Sequence, residues 1–282
     1  MTMNLVLQGP RASTAALTRI GALAKPARTV ELGEHALRFE DVDFSPTLKQ
    51  TITLAADAAQ LDATFIAAGR TLADFSLVAM DMDSTLITIE CIDEIADMQG
   101  LKPQVAAITE AAMRGELAFA ESLERRVALL EGLDASALQR VYDERLALSP
   151  GAETMLAAVK AAGLKTLLVS GGFSFFTERL QQRLGLDFIH ANVLDIVDGK
   201  LTGRVVGGIV DAEEKRRTVE RVCAQLGVAP ARAIIMGDGA NDLAMMGIAG
   251  LSVAFRAKPV VRAQADVALN VTGLDGLLAI LA

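Results

Sequence analysis

The rhythm of apolar and polar positions changes near residue 75. Before it, segments 4–8, 29–32, 36–40 and 62–67 read as short strands. A helix runs from Pro10–Ser13 to about Ala24, and a second starts at Ser45-Pro46 and reaches about Ala59. The two central strands are joined through Gly33-Glu34. The order β-α-β-β-α-β predicts a ferredoxin-like α+β sandwich over residues 1–72.

After residue 75, three nearly continuous apolar runs (75–80, 166–169, 233–236) each lead into a small polar motif. Short runs without alternation fit strands buried on both faces. Amphipathic stretches at 153–162, 175–184 and 213–226 separate them. The alternation predicts an α/β fold, a Rossmann-like doubly wound parallel sheet, over 73–87 and 149–282. Ligands of such sheets collect at the carboxyl ends of strands, where all three motifs stand, so one shared site is expected. Residues 88–148 keep a helical period and are too long for a crossover, so they predict an inserted helical cap. Asp198-Gly199, inside 193–206, marks a type I′ hairpin.

Composition narrows the chemistry. Apolar windows such as 164–169 break well before the roughly 18 residues of a membrane span, and residues 1–10 carry no secretory pattern. With 35 acidic against 27 basic residues the net charge is −8, and no basic stripe exceeds Lys215-Arg216-Arg217. Nucleic-acid binding is therefore not expected. Cys91 and Cys223 form no CxxC pair, which suits a reducing cytoplasm. With two histidines in the chain, His35 and His190, a histidine-built zinc site or triad is not expected. Carboxylates and hydroxyls must carry any reaction.

Asp81-x-Asp83 places two carboxylates on one side of an extended segment, where they repel or recruit a cation. For a lone DxD, a turn with Asp as helix cap is the better explanation. In Gly237-Asp238-Gly239-x-Asn241-Asp242, the glycines admit a close ligand, and Asp238 and Asp242 suit a hard cation such as Mg²⁺. Asp242 stands where a dinucleotide loop needs its third glycine, which argues against that reading. Ser170-Gly171-Gly172 offers a hydroxyl and backbone N–H groups to an oxyanion, or is a plain glycine turn. Lys215 alone reads as a solvated helix face. Taken together, four carboxylates, a serine and a lysine suit phosphoryl transfer through an acyl phosphate.

The ordered set Asp81 to Leu86, Ser170 to Phe173, Lys215 and Gly237 to Asp242 resembles the haloacid-dehalogenase-like superfamily. Within it, Glu90 with Ile92-Asp93-Glu94, the stretch 119–130, and Ala254-Phe255 with Ala257-Lys258-Pro259 resemble the phosphoserine phosphatases. The resemblance implies Asp81 as nucleophile and Asp83 as general acid and base. It implies Mg²⁺ held by Asp81, the Asp83 backbone carbonyl and Asp238, with Asp242 in or beside its shell. Ser170, Gly171 and Lys215 would hold phosphoryl oxygens and Asn241 would order the site. In the cap, Glu90 would meet the substrate ammonium, Arg126 its carboxylate, and Met113 and Phe119 would form apolar walls. Read from sequence alone, Arg126 is a helix-surface residue paired with a nearby Glu. The implied activity is hydrolysis of O-phospho-L-serine to L-serine, the closing step of serine formation. The alternative is the same chemistry on another small phosphomonoester. The N-terminal unit resembles ACT-type domains, with Gly9-Pro10 where such domains approach a ligand. A docking module or a homodimer contact is the other reading.

Overall fold

The computed structural model describes residues 2–282, the side chain of Met113 excepted. The chain opens with β1 (Met3–Gln8), α1 (Thr14–Gly21), β2 (Arg28–Gly33), β3 (Ala36–Val42), α2 (Pro46–Ala58) and β4 (Asp62–Ala67). The strands form an antiparallel sheet in the order β2-β3-β1-β4. Ser13 and Ser45 start the two helices by accepting from Ala16 N and Leu48 N at 3.2 and 3.1 Å. Leu17, Ile20, Ile52 and Ala56 then pack on Leu5, Leu7 and Phe39 in a closed apolar core.

The second sheet begins with β5 (Leu77–Met80), all four residues buried. Four helices follow: α3 (Cys91–Asp97), α4 (Lys102–Met113), α5 (Phe119–Ala128) and α6 (Ser136–Glu144). Next come α7 (Ala152–Ala161), β6 (Lys165–Phe173), α8 (Ser174–Leu184), the hairpin β7 (Phe188–Val197) and β8 (Lys200–Val206), and α9 (Ala212–Leu226). The chain ends with β9 (Ala233–Gly237), α10 (Leu243–Met246), β10 (Leu251–Phe255), α11 (Pro259–Gln264), β11 (Val267–Leu269) and α12 (Gly276–Ile280). The strand order is β11-β10-β9-β5-β6-β7-β8. Pairs β6–β7, β9–β10 and β10–β11 are parallel, and β8 returns antiparallel. Asp198 and Gly199 both take positive φ, 50° and 76°, as a type I′ turn requires.

One local difference from the sequence pattern matters. Ser170-Gly171-Gly172 does not turn away after residue 169 but stays inside β6. The register with β7 slips between Ser170 and Phe173, so the two glycines bulge instead of ending the strand. A bulge frees backbone groups from the ladder without breaking the strand's direction.

Contacts divide the chain into two compact units, 1–78 with 150–165 and 228–282, and 79–149 with 166–227. In the first unit, the buried Asp62 carboxylate accepts from the backbone N–H of Asn270 (2.8 Å), Val271 (3.1 Å) and Thr272 (2.8 Å), and from Thr272 Oγ1 (2.6 Å). Gly9 lies against Leu61 and Gln60, and a Cβ there would meet Leu61 Cδ2 at 2.7 Å. A side chain at this position would therefore collide with Leu61. In the second unit, Arg179 stacks on Phe175 and donates to Gln139 Oε1 at 3.0 Å, tying α8 to α6.

Candidate active site

The second unit gathers most of the residues singled out in the sequence. Asp81 follows β5 directly and is buried. Its Oδ1 accepts from its neighbour Met82 N at 2.7 Å and lies 2.8 Å from Lys215 Nζ. Lys215 comes from the first turn of α9, which Asp211 starts by accepting from Glu214 N at 2.8 Å. Side chains on a helix lean toward its N-terminus, so this lysine reaches back off the helix end and is wholly buried. A cation this close favours the ionised carboxylate. The charge run at 213–217 is thus not uniformly a solvated face.

Asp83 is held differently. Its Oδ1 is buried with no hydrogen-bond partner. Burial first, and then the charge of Glu90, push its carboxyl up to about 8, while hydrogen bonding from Cys91 and the charge of Lys215 pull the other way. At neutral pH this acid keeps its proton. Two carboxyl groups two positions apart thus meet opposite surroundings, one beside an ammonium and one desolvated beside another carboxylate, the arrangement that separates a nucleophile from an acid.

Ser170 is buried in β6, and its Oγ accepts from Gly172 N at 2.9 Å. A Cβ on Gly172 would meet Asp83 Oδ2 at 2.8 Å, Met82 Cε at 2.9 Å and Ser170 Oγ at 3.1 Å. Glycine is required there because the acid and the serine crowd its α-carbon. Gly171 has the Phe119 ring over it, with Cζ 2.9 Å from where a Cβ would stand. The Gly171 carbonyl accepts from Asn192 Nδ2 at 2.8 Å, and Asn192 Oδ1 accepts from Val210 N at 2.8 Å. Asn192 is a buried amide that fixes the bulge. Its position on β7 carries no motif, so only the tertiary contact reveals it.

The cap residues split by exposure. Arg126 on α5 is half-buried and donates from Nε to Ser122 O at 3.3 Å. Burial holds its pKa below the usual guanidinium value, against the charges of Asp93, Glu90 and Asp83. The helix-surface pair expected for it belongs instead to its neighbour Arg125, which meets Glu121 at 2.5 Å. Burial raises Asp93, opposed first by Arg126. Glu90, at the start of α3, is exposed and accepts from Ser84 Oγ at 2.7 Å. Met113 lies outside the residues whose side chains the structure describes.

In the first unit, Asp238 follows β9 directly, and its carbonyl accepts from Lys258 N at 3.1 Å. Asp242 closes the next turn, with Oδ2 accepting from Gly239 N at 3.0 Å. It lies over Gly237, where a Cβ would meet its Cγ at 2.5 Å. Asn241 sits half-buried in the same turn. Asp238 and Asp242 thus bring two carboxylates to one turn, oxygen donors that could hold a metal ion. An all-oxygen donor set of this charge fits a small hard dication. No helix among the described residues is long and apolar enough to cross a membrane.

A bulged glycine strand and a strand-end DxD on a mainly parallel sheet, with a buried helix lysine beside the first aspartate, form a site suited to phosphoryl transfer. The family model of the haloacid dehalogenase-like hydrolases matches residues 75–250. The chain belongs to that family. It is 60% identical over 212 residues to a phosphoserine phosphatase of Polaromonas sp., covering 73% of this chain and 90% of that protein. Among solved structures, a HAD-family hydrolase of Salmonella enterica serovar Typhi superposes with a TM-score of 0.91 at 32% identity, over 100% of this chain and 99% of that one. A probable phosphoserine phosphatase of Vibrio cholerae superposes at 0.85 with 35% identity, over 99% of this chain and 86% of that one.

Proposed function

We propose that this chain hydrolyses O-phospho-L-serine to L-serine and phosphate through an aspartyl-phosphate on Asp81. The observation that carries the reading is the opposed pair: Asp81 beside the buried Lys215 ammonium, and Asp83 buried beside Glu90 with its carboxyl pushed up to about 8. In the first half, an Asp81 carboxylate oxygen bonds to phosphorus and the bond from phosphorus to the seryl oxygen breaks. The Asp83 proton passes to that oxygen, so serine leaves as an alcohol. In the second half, Asp83, now ionised, takes a proton from water as the water oxygen bonds to phosphorus. The bond from phosphorus to the Asp81 oxygen then breaks, and both groups return to their starting states. Ser170, the Gly171 backbone and Lys215 hold the phosphoryl oxygens, the donors such a transfer needs most.

Family members generally use Mg²⁺, and the carboxylates Asp81, Asp238 and Asp242 fit it. They would hold it together with the Asp83 carbonyl, while Asn241 orders the turn between Asp238 and Asp242. Bound there, the ion supplies charge neutralisation for the phosphoryl oxygens.

Specificity rests on the cap. Glu90 faces the substrate ammonium and Arg126 its carboxylate, one opposite charge at each end of a zwitterion, and Phe119 supplies an apolar wall. The identity to named phosphoserine phosphatases supports this substrate over other phosphomonoesters. Two finer parts belong to the same proposal. The free edge of β2 offers a second copy a place to pair, and the free, buried thiols Cys91 and Cys223 suit a reducing cytoplasm. The test is phosphate release across phospho-amino acids and sugar phosphates, for wild type and Arg126→Ala. Preference for phosphoserine that Arg126→Ala abolishes supports the reading; an unchanged preference overturns the assignment of Arg126.

A further inference from the structure

Ser84 has no part in the chemistry above, yet it is built with care. It follows Asp83 in the turn after β5 with φ 56° and ψ 1°, a left-handed conformation that a serine adopts at a cost. Its N–H donates to Ile89 O at 3.2 Å, and its Oγ donates to Glu90 Oε1 at 2.7 Å. Backbone and side chain of one residue thus hold two consecutive residues, Ile89 and Glu90. Strain of this kind persists where the surroundings over-determine it, and such sites are commonly functional.

The substrate's geometry gives the strain a purpose. In phosphoserine the ammonium and the ester oxygen sit on adjacent carbons. The carboxylate that meets the ammonium must therefore stand beside the acid that protonates the oxygen. Glu90 is close enough to Asp83 to raise its pKa, yet it is solvent-exposed and would otherwise be free to swing. We infer that Ser84 is a specificity-determining positioning residue: its hydroxyl fixes Glu90 so that the enzyme selects phosphate esters with an ammonium on the neighbouring carbon. This rests on the proposed role of Glu90 as the ammonium's partner.

The experiment compares kcat/KM for phosphoserine and for its desamino analogue, 3-phosphonooxypropanoate, which keeps the carboxylate and the ester. The readout is the ratio of the two. Ser84→Gly accepts positive φ without strain and deletes the whole hydroxymethyl group. Ser84→Ala deletes the hydroxyl and keeps a side chain. Both variants are expected to reduce the ratio about tenfold, mainly through KM for phosphoserine, as loss of one hydrogen bond to a charged group implies. A merely structural role would slow both substrates alike and leave the ratio unchanged.

Glu90→Gln separates the role of Ser84 from that of Glu90. It should collapse the ratio, and Ser84→Gly added to it should reduce the ratio no further. A collapsed ratio in Glu90→Gln together with an unchanged one in both Ser84 variants overturns the inference for Ser84. An unchanged ratio in Glu90→Gln overturns the reading of Glu90 itself.

Discussion

Lys215 Nζ lies 2.8 Å from Asp81 Oδ1, with the two side chains only 1% and 8% exposed. A buried pair like this is costly to break from one side, because the surviving charge stays desolvated. Lys215→Met is therefore expected to lose roughly 3–5 kcal/mol of stability as well as activity. Urea unfolding measures the loss. Adding Asp81→Asn to Lys215→Met should restore much of the stability and none of the activity. Full stability in the single variant would mean that Asp81 is not relying on this partner.

Asp83 gives a pH dependence of definite sign. Its folded-state pKa, about 8, lies above that of an ordinary carboxyl, so the folded chain holds the proton more tightly than the unfolded chain. Stability from this source is complete below about pH 4 and is lost as the pH rises toward the folded value. Asp83→Asn imitates the neutral acid at every pH. Measured in EDTA, its stability relative to wild type should rise between about pH 5 and about pH 8. A constant difference would show that burial and Glu90 do not raise this group.

Gly172 tests how closely the acid and the serine are packed. Ala at this position puts a methyl 2.8 Å from Asp83 Oδ2 and 3.1 Å from Ser170 Oγ. Gly172→Ala should lower kcat on the order of a hundredfold, since displacing a reacting group by about an ångström has that effect. Thermal melting checks that the fold is kept. An unimpaired kcat would mean Asp83 tolerates displacement.

Asp62 predicts the converse, stability without catalysis. Removing its carboxylate strands the backbone N–H groups of Asn270, Val271 and Thr272. Asp62→Ala should cost about 2–4 kcal/mol, given the penalty for each unmet buried group. Its kcat/KM for phosphoserine at low temperature should stay at the wild-type value. A catalytic loss in the folded variant would contradict the separation.

The legible parts of the sequence were those written in local pattern. Buried strands such as β5 and β9 show as apolar runs, and Asp198-Gly199 announces its turn. DxD, Lys215 and GDGxND could be ordered along the chain because each stands beside a strand or helix start. What stayed hidden depends on contacts between distant segments. Gly171-Gly172 looks like a turn until β7 fixes it as a bulge. Asn192 is one more polar residue on a strand until its amide meets Gly171 and Val210. Arg126 and Arg125 are adjacent on one amphipathic helix, and only packing decides which is half-buried and which pairs with Glu121. The positive φ of Ser84 has no sequence marker, because glycine or asparagine is the usual sign of it.

The central claim is a phosphoryl group carried on Asp81. Acid quench of the enzyme during turnover of ³²P-labelled phosphoserine, followed by peptide mapping, tests it most directly. Label that hydroxylamine releases is expected on the peptide containing Asp81, and none in Asp81→Asn. Rapid phosphate release with no labelled protein, or continued turnover by Asp81→Asn, would contradict it.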